Sequence, residues 1–110
     1  MRYLTDQAEL EELIGVGEKP AVPKALPRVT VVYFTAKWCG ACRSLDLDAL
    51  ESATPSVNWL KCDIDQNDYT AGYCGVRSIP SFLAIVDKKV AGLVQDNNTD
   101  RMIAWVKKHL

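Results

Sequence analysis

Cys39 and Cys42 stand with two residues between them in Trp38-Cys39-Gly40-Ala41-Cys42, where the β-branched and aromatic stretch Val29–Thr35 gives way to a helical pattern. On a helical turn, positions i and i+3 share a face, so two thiols at this spacing can meet and close a disulfide. Unpaired N–H groups at a helix start stabilise a thiolate at Cys39, and Lys37 adds positive charge beside it. Cys39 is therefore the expected nucleophile. Cys42, expected to be the more shielded thiol, would attack the mixed disulfide that Cys39 forms and release the partner molecule reduced.

Three other readings of the pair compete. It could be half of a zinc site, but such a site needs a second close pair, and Cys62 and Cys74 lie 12 positions apart in different expected elements. The single histidine, His109, is nearly at the C-terminus and reads as a solvated terminal residue. A structural disulfide across a two-residue spacer would stabilise the fold little through loop entropy. Two inert buried thiols complete the alternatives. Spacing and context favour redox exchange over metal, and metal over inert thiols.

The elements around the pair follow from apolar periodicity and chain breakers. Residues 5–15 read as a short amphipathic helix with Thr5 or Asp6 as cap, Leu10, Leu13 and Ile14 on one face, and Gly15 and Gly17 at its end. Pro20, Pro23 and Pro27 make 16–28 a connecting loop rather than a helix. The stretch Val29–Thr35 is apolar on both faces, which predicts a central, parallel strand in a sheet covered on both sides. A helix over 40–52 follows, ended by Pro55, and 57–64 reads as a second strand. Asp65 and Asn67 can cap a short helix through Tyr73, closed by Gly75. Residues 81–87 and 89–94 read as an antiparallel hairpin turning near Asp87 and Lys88. A last helix begins near Asn98 or Thr99 with Met102, Ile103, Val106 and Leu110 as its buried stripe. This order implies a compact α/β layer structure.

A chain of 110 residues with 48% hydrophobic and 25% charged residues is long enough to bury one core, so 1–110 is read as a single domain. A net charge of −1 gives no electrostatic case for nucleic acid or a membrane surface. No apolar run approaches the roughly 20 residues that span a bilayer, and residues 1–15 carry acids where a signal peptide would be apolar. A cytoplasmic location is expected. Four cysteines are too few and too unevenly spaced for a secreted disulfide scaffold.

With the cysteine pair after an apolar strand, and with LKCDIDQNDYTAGYCGVRSIPSF over 60–82 supplying a strand, a short helix and the Ser78-Ile79-Pro80-Ser81 loop, the sequence resembles the thioredoxin family. The resemblance implies a thioredoxin fold, a central mixed sheet flanked by helices on both faces. It implies thiol–disulfide exchange at Cys39 and Cys42, with a cis Ile79–Pro80 bond beside them. Trp38 would line the groove, and the backbone of Ile79 would pair with an extended substrate segment, a sequence-tolerant mode of binding. It further implies disulfide-containing protein substrates, no bound cofactor or metal, and re-reduction by a thioredoxin reductase drawing on NADPH. A monomer is expected. Alternatives are a thiol oxidant or isomerase, and a binding module of the same fold whose thiols are not essential.

Departures from the family pattern bear on rate and direction. Ala41 stands where the family's Cys-Gly-Pro-Cys centre has proline, a change expected to make the pair more oxidising. Tyr33 occupies the strand position, six residues before Cys39, where the family usually carries a buried Asp, whereas the neighbouring lysine is kept as Lys61. A phenol is a poor base at neutral pH, so Tyr33 is expected to slow resolution by Cys42. Ser78 and Asp96 replace common glycines near the groove, and a rim carboxylate at 96 would disfavour acidic substrates. Thr35, where many members have a second Trp, makes that side of the site more open and polar. Cys62 and Cys74 read as buried or half-buried thiols, with regulatory oxidation at Cys74 as the alternative.

Overall fold

The computed structural model describes residues 1–4, 7–15 and 27–110. The caps expected at Thr5 and Asp6, the terminator Gly17 and most of the Pro-rich loop lie outside the described residues. Among the described residues, five strands form one mixed sheet: β1 (Arg2–Tyr3), β2 (Val29–Thr35), β3 (Asn58–Asp63), β4 (Ser81–Val86) and β5 (Lys89–Gln95), in the order β1-β3-β2-β4-β5. β2 sits at the centre, as its two-sided apolar pattern predicts. It runs parallel to β3, with Tyr33 opposite Lys61 and Thr35 opposite Asp63, and antiparallel to β4, with Phe34 opposite Ser81.

Alternation along β2 divides the core between the two faces. Val31 and Tyr33 join Trp59 and Phe82 on the face that also packs Cys39, Cys42, Leu50, Met102 and Val106. Val32 and Phe34 join Leu60, Cys62 and Leu83 on the other, under Leu10 and Leu13. Helices α2 (Leu47–Ala53) and α4 (Thr99–Lys107) therefore cover one face, and α1 (Gln7–Leu13) and α3 (Asp68–Tyr73) the other.

The ends of these elements largely obey local chemistry. Asn67 caps α3 by accepting from the Thr70 N–H, and Asn98 caps α4 by accepting from the Arg101 N–H. Gly75 ends the α3 segment at φ +77°, the left-handed conformation that an L side chain resists. Asp87 and Lys88 both take positive φ in the hairpin turn, matching the right-handed twist of the strands they join.

Four expectations need correction. The N-terminus contributes a strand: β1 pairs parallel with β3, and the Leu4 N–H donates to the Lys61 carbonyl at 2.8 Å. The continuous helix expected over 40–52 is broken. A 3-10 turn, Ala41–Ser44, is followed by extended Leu45, and α2 then restarts with Asp46 as N-cap, its carboxylate accepting from the Ala49 N–H at 3.0 Å. The Asp46 N–H donates to Thr99 Oγ1 at 3.0 Å, so the break is fixed by the start of α4. Leu110 is 48% exposed rather than part of the buried stripe, because α4 ends at Lys107 and the chain leaves the helical face. His109 is half-buried, its ring packed edge-on against Trp105 at 4.8 Å, and not a freely solvated end.

Candidate active site

The chain leaves β2 at Thr35, turns through Lys37 and Trp38, and enters the 3-10 turn that carries both thiols. Cys39 is anchored by its own N–H donating to the Ala36 carbonyl at 3.1 Å. Cys39 and Cys42 are joined in a disulfide with Cα atoms 5.3 Å apart. Both are buried, at 5% and 8% exposure, so the expected contrast between an open first and a shielded second thiol is absent.

The source of thiolate stabilisation also changes. A four-residue 3-10 turn sums few peptide dipoles, and the long helix expected to point its N-terminus at Cys39 does not exist as one piece. In its place is a specific donor: the Cys42 N–H reaches Cys39 Sγ at 3.1 Å. A hydrogen bond to sulfur strengthens when the sulfur carries charge, so this amide favours the thiolate of a reduced Cys39. Gly40 has φ −63°, and a Cβ there would meet nothing within 4 Å, so the turn does not require glycine.

Trp38 is 64% exposed, yet its indole is held in one orientation because Nε1 donates to Asp65 Oδ2 at 2.8 Å. Asp65 is thus not a helix cap but the partner that presents the Trp38 ring beside the disulfide. Ile79–Pro80 is cis, as the resemblance implies. Pro80 is buried and Ile79 half-buried, while exposed Ser78 offers its carbonyl to Ser81 Oγ at 2.5 Å. Because Ser81 pairs with Phe34, this loop sits at the end of β2 from which the cysteine turn departs.

A cleft of about 250 Å³ opens beside the disulfide, lined by Cys39, Cys42, Tyr33, Lys61 and Asp63 among others. Tyr33 stacks on Phe82 with ring centroids 5.1 Å apart. Burial pushes its phenol up, opposed by a side-chain hydrogen bond with Thr35. Lys61 Nζ lies 4.7 Å from the centroid of the Tyr3 ring, a cation–π contact supplied by β1. Thr35 lines the cleft too, which makes that wall polar. Asp96 is not among the lining residues. It forms a two-pronged ion pair with Arg101, 2.8 Å to Nε and 2.9 Å to Nη2, and this partner holds its carboxyl down at about 2. Its charge is therefore matched within the loop, which weakens the repulsion of acidic substrates expected from position 96. Ala41 is exposed on the outer side of the turn.

Two side chains in this arrangement went unread in the sequence. Asp63 carries a detectable signal, since it alternates with Lys61 along β3 and so shares the face of Tyr33. Tyr3 has none, because a two-residue edge strand leaves no periodicity to detect.

Cys62 and Cys74 pack into the core on the opposite face of the sheet from the disulfide, so the four sulfurs do not converge. Burial pushes the Cys62 thiol up to about 12, with Cys74 and Asp63 nearby adding to the effect, and pushes Cys74 up to about 11. In the Cys39→Ser, Cys42→Ser double variant, iodoacetamide at about pH 8 is expected to label Cys74 on the order of a hundredfold more slowly than a free thiol, and Cys62 about tenfold more slowly again. Labelling of Cys74 at the free-thiol rate would mark it as a reactive site instead.

The family model described as Thioredoxin matches residues 21–108. The chain belongs to the thioredoxin family. Among curated members, thioredoxin of Mycoplasmoides gallisepticum is 30% identical over 111 residues, covering 99% of this chain and 93% of that protein. Thioredoxin of Chlamydia muridarum is 37% identical over 84 residues, covering 74% and 82%. Among solved structures, Fasciola hepatica thioredoxin superposes with a TM-score of 0.82 at 33% identity over the whole of both chains. Mitochondrial thioredoxin 3 of Saccharomyces cerevisiae, in its oxidized form, gives 0.83 at 28% identity, covering 98% and 94%. Thioredoxin-family membership together with the Cys39–Cys42 pair makes the chain a dithiol–disulfide oxidoreductase, whose substrates are disulfide-containing proteins and which draws electrons from a reductase partner.

Proposed function

We propose that the chain works in the reducing direction, as a monomeric cytoplasmic carrier that receives electrons from NADPH through its reductase and delivers them to protein disulfides. The similarity to thioredoxins along nearly the whole chain carries this reading, and the hydrogen bond from the Cys42 N–H to Cys39 Sγ assigns Cys39 as the sulfur that bears charge in the reduced pair. The Cys39 thiolate attacks a substrate disulfide sulfur, forming a mixed disulfide and releasing the first substrate sulfur as a thiolate. Cys42 then attacks Cys39 Sγ, re-forming the intramolecular disulfide and releasing the second substrate sulfur. The exposed ring of Trp38 supports one side of the substrate segment, and the backbone of Ile79 before cis Pro80 offers the other a strand-like edge.

Equilibration against glutathione buffers tests the direction. A potential near roughly −270 mV is expected for a reductase, whereas one near about −120 mV would make the pair an oxidant and overturn the proposal.

A further inference from the structure

Attack by Cys42 requires that its thiol lose a proton, and the groups facing the cleft differ in their capacity to take it. From β2, Tyr33 keeps its own proton, since burial disfavours the phenolate. From the active-site turn come Lys37 and Arg43, and from β3 Lys61, all cations, while β1 contributes the Tyr3 phenol that packs on Lys61. The carboxylate on the cleft wall is Asp63, at the C-terminal end of β3.

Asp63 is only 6% exposed, and its position is held from several sides. Its carbonyl accepts the N–H groups of Gln66 at 3.1 Å and Asn67 at 2.9 Å. The next residue, Ile64, donates its N–H to the Thr35 carbonyl at 2.9 Å, clamping the end of β3 against the end of β2 from which the cysteine turn leaves. Asp63 Oδ1 accepts the Asp65 N–H at 2.9 Å, which leaves Oδ2 with no hydrogen-bond partner among the described residues. A carboxylate oxygen with no protein donor among the described residues, on the wall of an open cleft shared with both cysteines, has its bonding capacity directed to water or to the reaction. The cleft, at about 250 Å³, far exceeds the roughly 15 Å³ that one water requires.

We propose that Asp63 accepts, through water in this cleft, the proton that Cys42 loses on resolving the mixed disulfide. The proton of Cys42 passes to the carboxylate, and the electron pair left on Cys42 Sγ attacks Cys39 Sγ. The Cys39–Cys42 bond forms as the bond from Cys39 to the substrate sulfur breaks. That sulfur departs with the bonding pair and takes the proton back from Asp63 to leave as a thiol. No outside oxidant or base is needed. The proposal rests on the disulfide-exchange reading of the pair.

Asp63→Asn separates this role from a structural one, because asparagine keeps an oxygen acceptor for the Asp65 N–H. Mixed-disulfide resolution is to be followed by rapid quench with a peptide disulfide over roughly pH 5 to 9. Wild type is expected to reach a plateau within this range, because the proton acceptor is a fixed side chain and not hydroxide. The variant should be about a hundredfold slower near neutrality, with a rate that climbs in proportion to hydroxide. The first attack, by Cys39, should stay within about twofold of wild type. Asp63→Glu is expected to restore the plateau, as is Tyr33→Asp added to Asp63→Asn. A variant resolving within about twofold of wild type throughout would overturn the proposal and leave disulfide exchange standing. So would a wild-type rate proportional to hydroxide over the whole range, a result that depends on no variant folding. Failure of the wild type to form a mixed disulfide at all would overturn the underlying reading and the proposal with it.

Discussion

Replacing Cys39 by Ser is expected to cut disulfide reduction by about a thousandfold or more, because a hydroxyl near neutral pH supplies almost no oxyanion and sulfur is the better nucleophile. Replacing Cys42 by Ser should leave the first attack intact and stop the cycle there. The two variants thus separate in kind. Cys39→Ser should form no covalent adduct with a disulfide substrate, whereas Cys42→Ser should accumulate one, visible as a mass increase equal to the substrate's thiol fragment and reversed by dithiothreitol. Neither change should unfold the protein, since a disulfide closing so short a loop constrains the unfolded chain little. Adduct formation by Cys39→Ser through Cys42 would reverse the assigned roles. It is a real contest, because the two sulfurs are nearly equally buried and the Cys42 N–H bond to Cys39 Sγ is what distinguishes them. A double Ser variant that kept its biological activity would point to a groove that works without its thiols.

The parts of this site that sequence made legible are those encoded within a few residues of one another. The pattern of β2 puts Tyr33 inward two residues before Thr35, and the same alternation on β3 puts Lys61 beside it. Asn67, Gly75 and the Asp87–Lys88 turn act through their own side chains or backbone, so their roles were readable where they stand. The helix break at Leu45 was not, because no glycine or proline marks it. A hydrogen bond from Asp46 to Thr99, 53 residues away, sets it. For the same reason Trp38 was readable as a groove residue but its tether to Asp65, 27 residues on, was not. Tyr3 reaches the cleft only because β1 docks on β3, and such edge pairing follows from tertiary packing rather than local propensity. Chemistry carried by spacing and strand alternation could be read directly, Asp63 beside Lys61 included, whereas chemistry carried by long-range contacts, such as the docking of Tyr3 and the tether of Trp38, needed the fold.

Tyr33→Asp should expose the compromise made at this position, speeding resolution while costing about 3–5 kcal/mol of stability. Tyr33 is buried and stacked on Phe82, so the substitution removes a large side chain, a ring pair and its contacts, and leaves a carboxylate in their place. The carboxylate meets a desolvating wall, which raises its folded-state pKa above that of the unfolded chain. Below the unfolded value, near pH 4, both states carry the proton and only the packing loss is felt. As pH rises from there the unfolded chain ionises first, so the penalty grows until the folded-state carboxyl ionises and then levels off. Urea unfolding from pH 4 upward should show this widening gap from wild type. Tyr33→Phe, which keeps the ring and loses only the hydrogen bond with Thr35, should cost about 1 kcal/mol with no such pH trend. Rapid-quench kinetics should show faster resolution in Tyr33→Asp, since a second carboxylate then faces the cleft. If Asp63 already takes the proton, that gain is smaller in the wild-type background than in Asp63→Asn, where position 33 would provide the only carboxylate among the described residues of the cleft wall. An equal gain in both backgrounds would mean that the two positions act independently. A packed aromatic at position 33 is then a workable choice for the fold because the proton acceptor lies on the neighbouring strand.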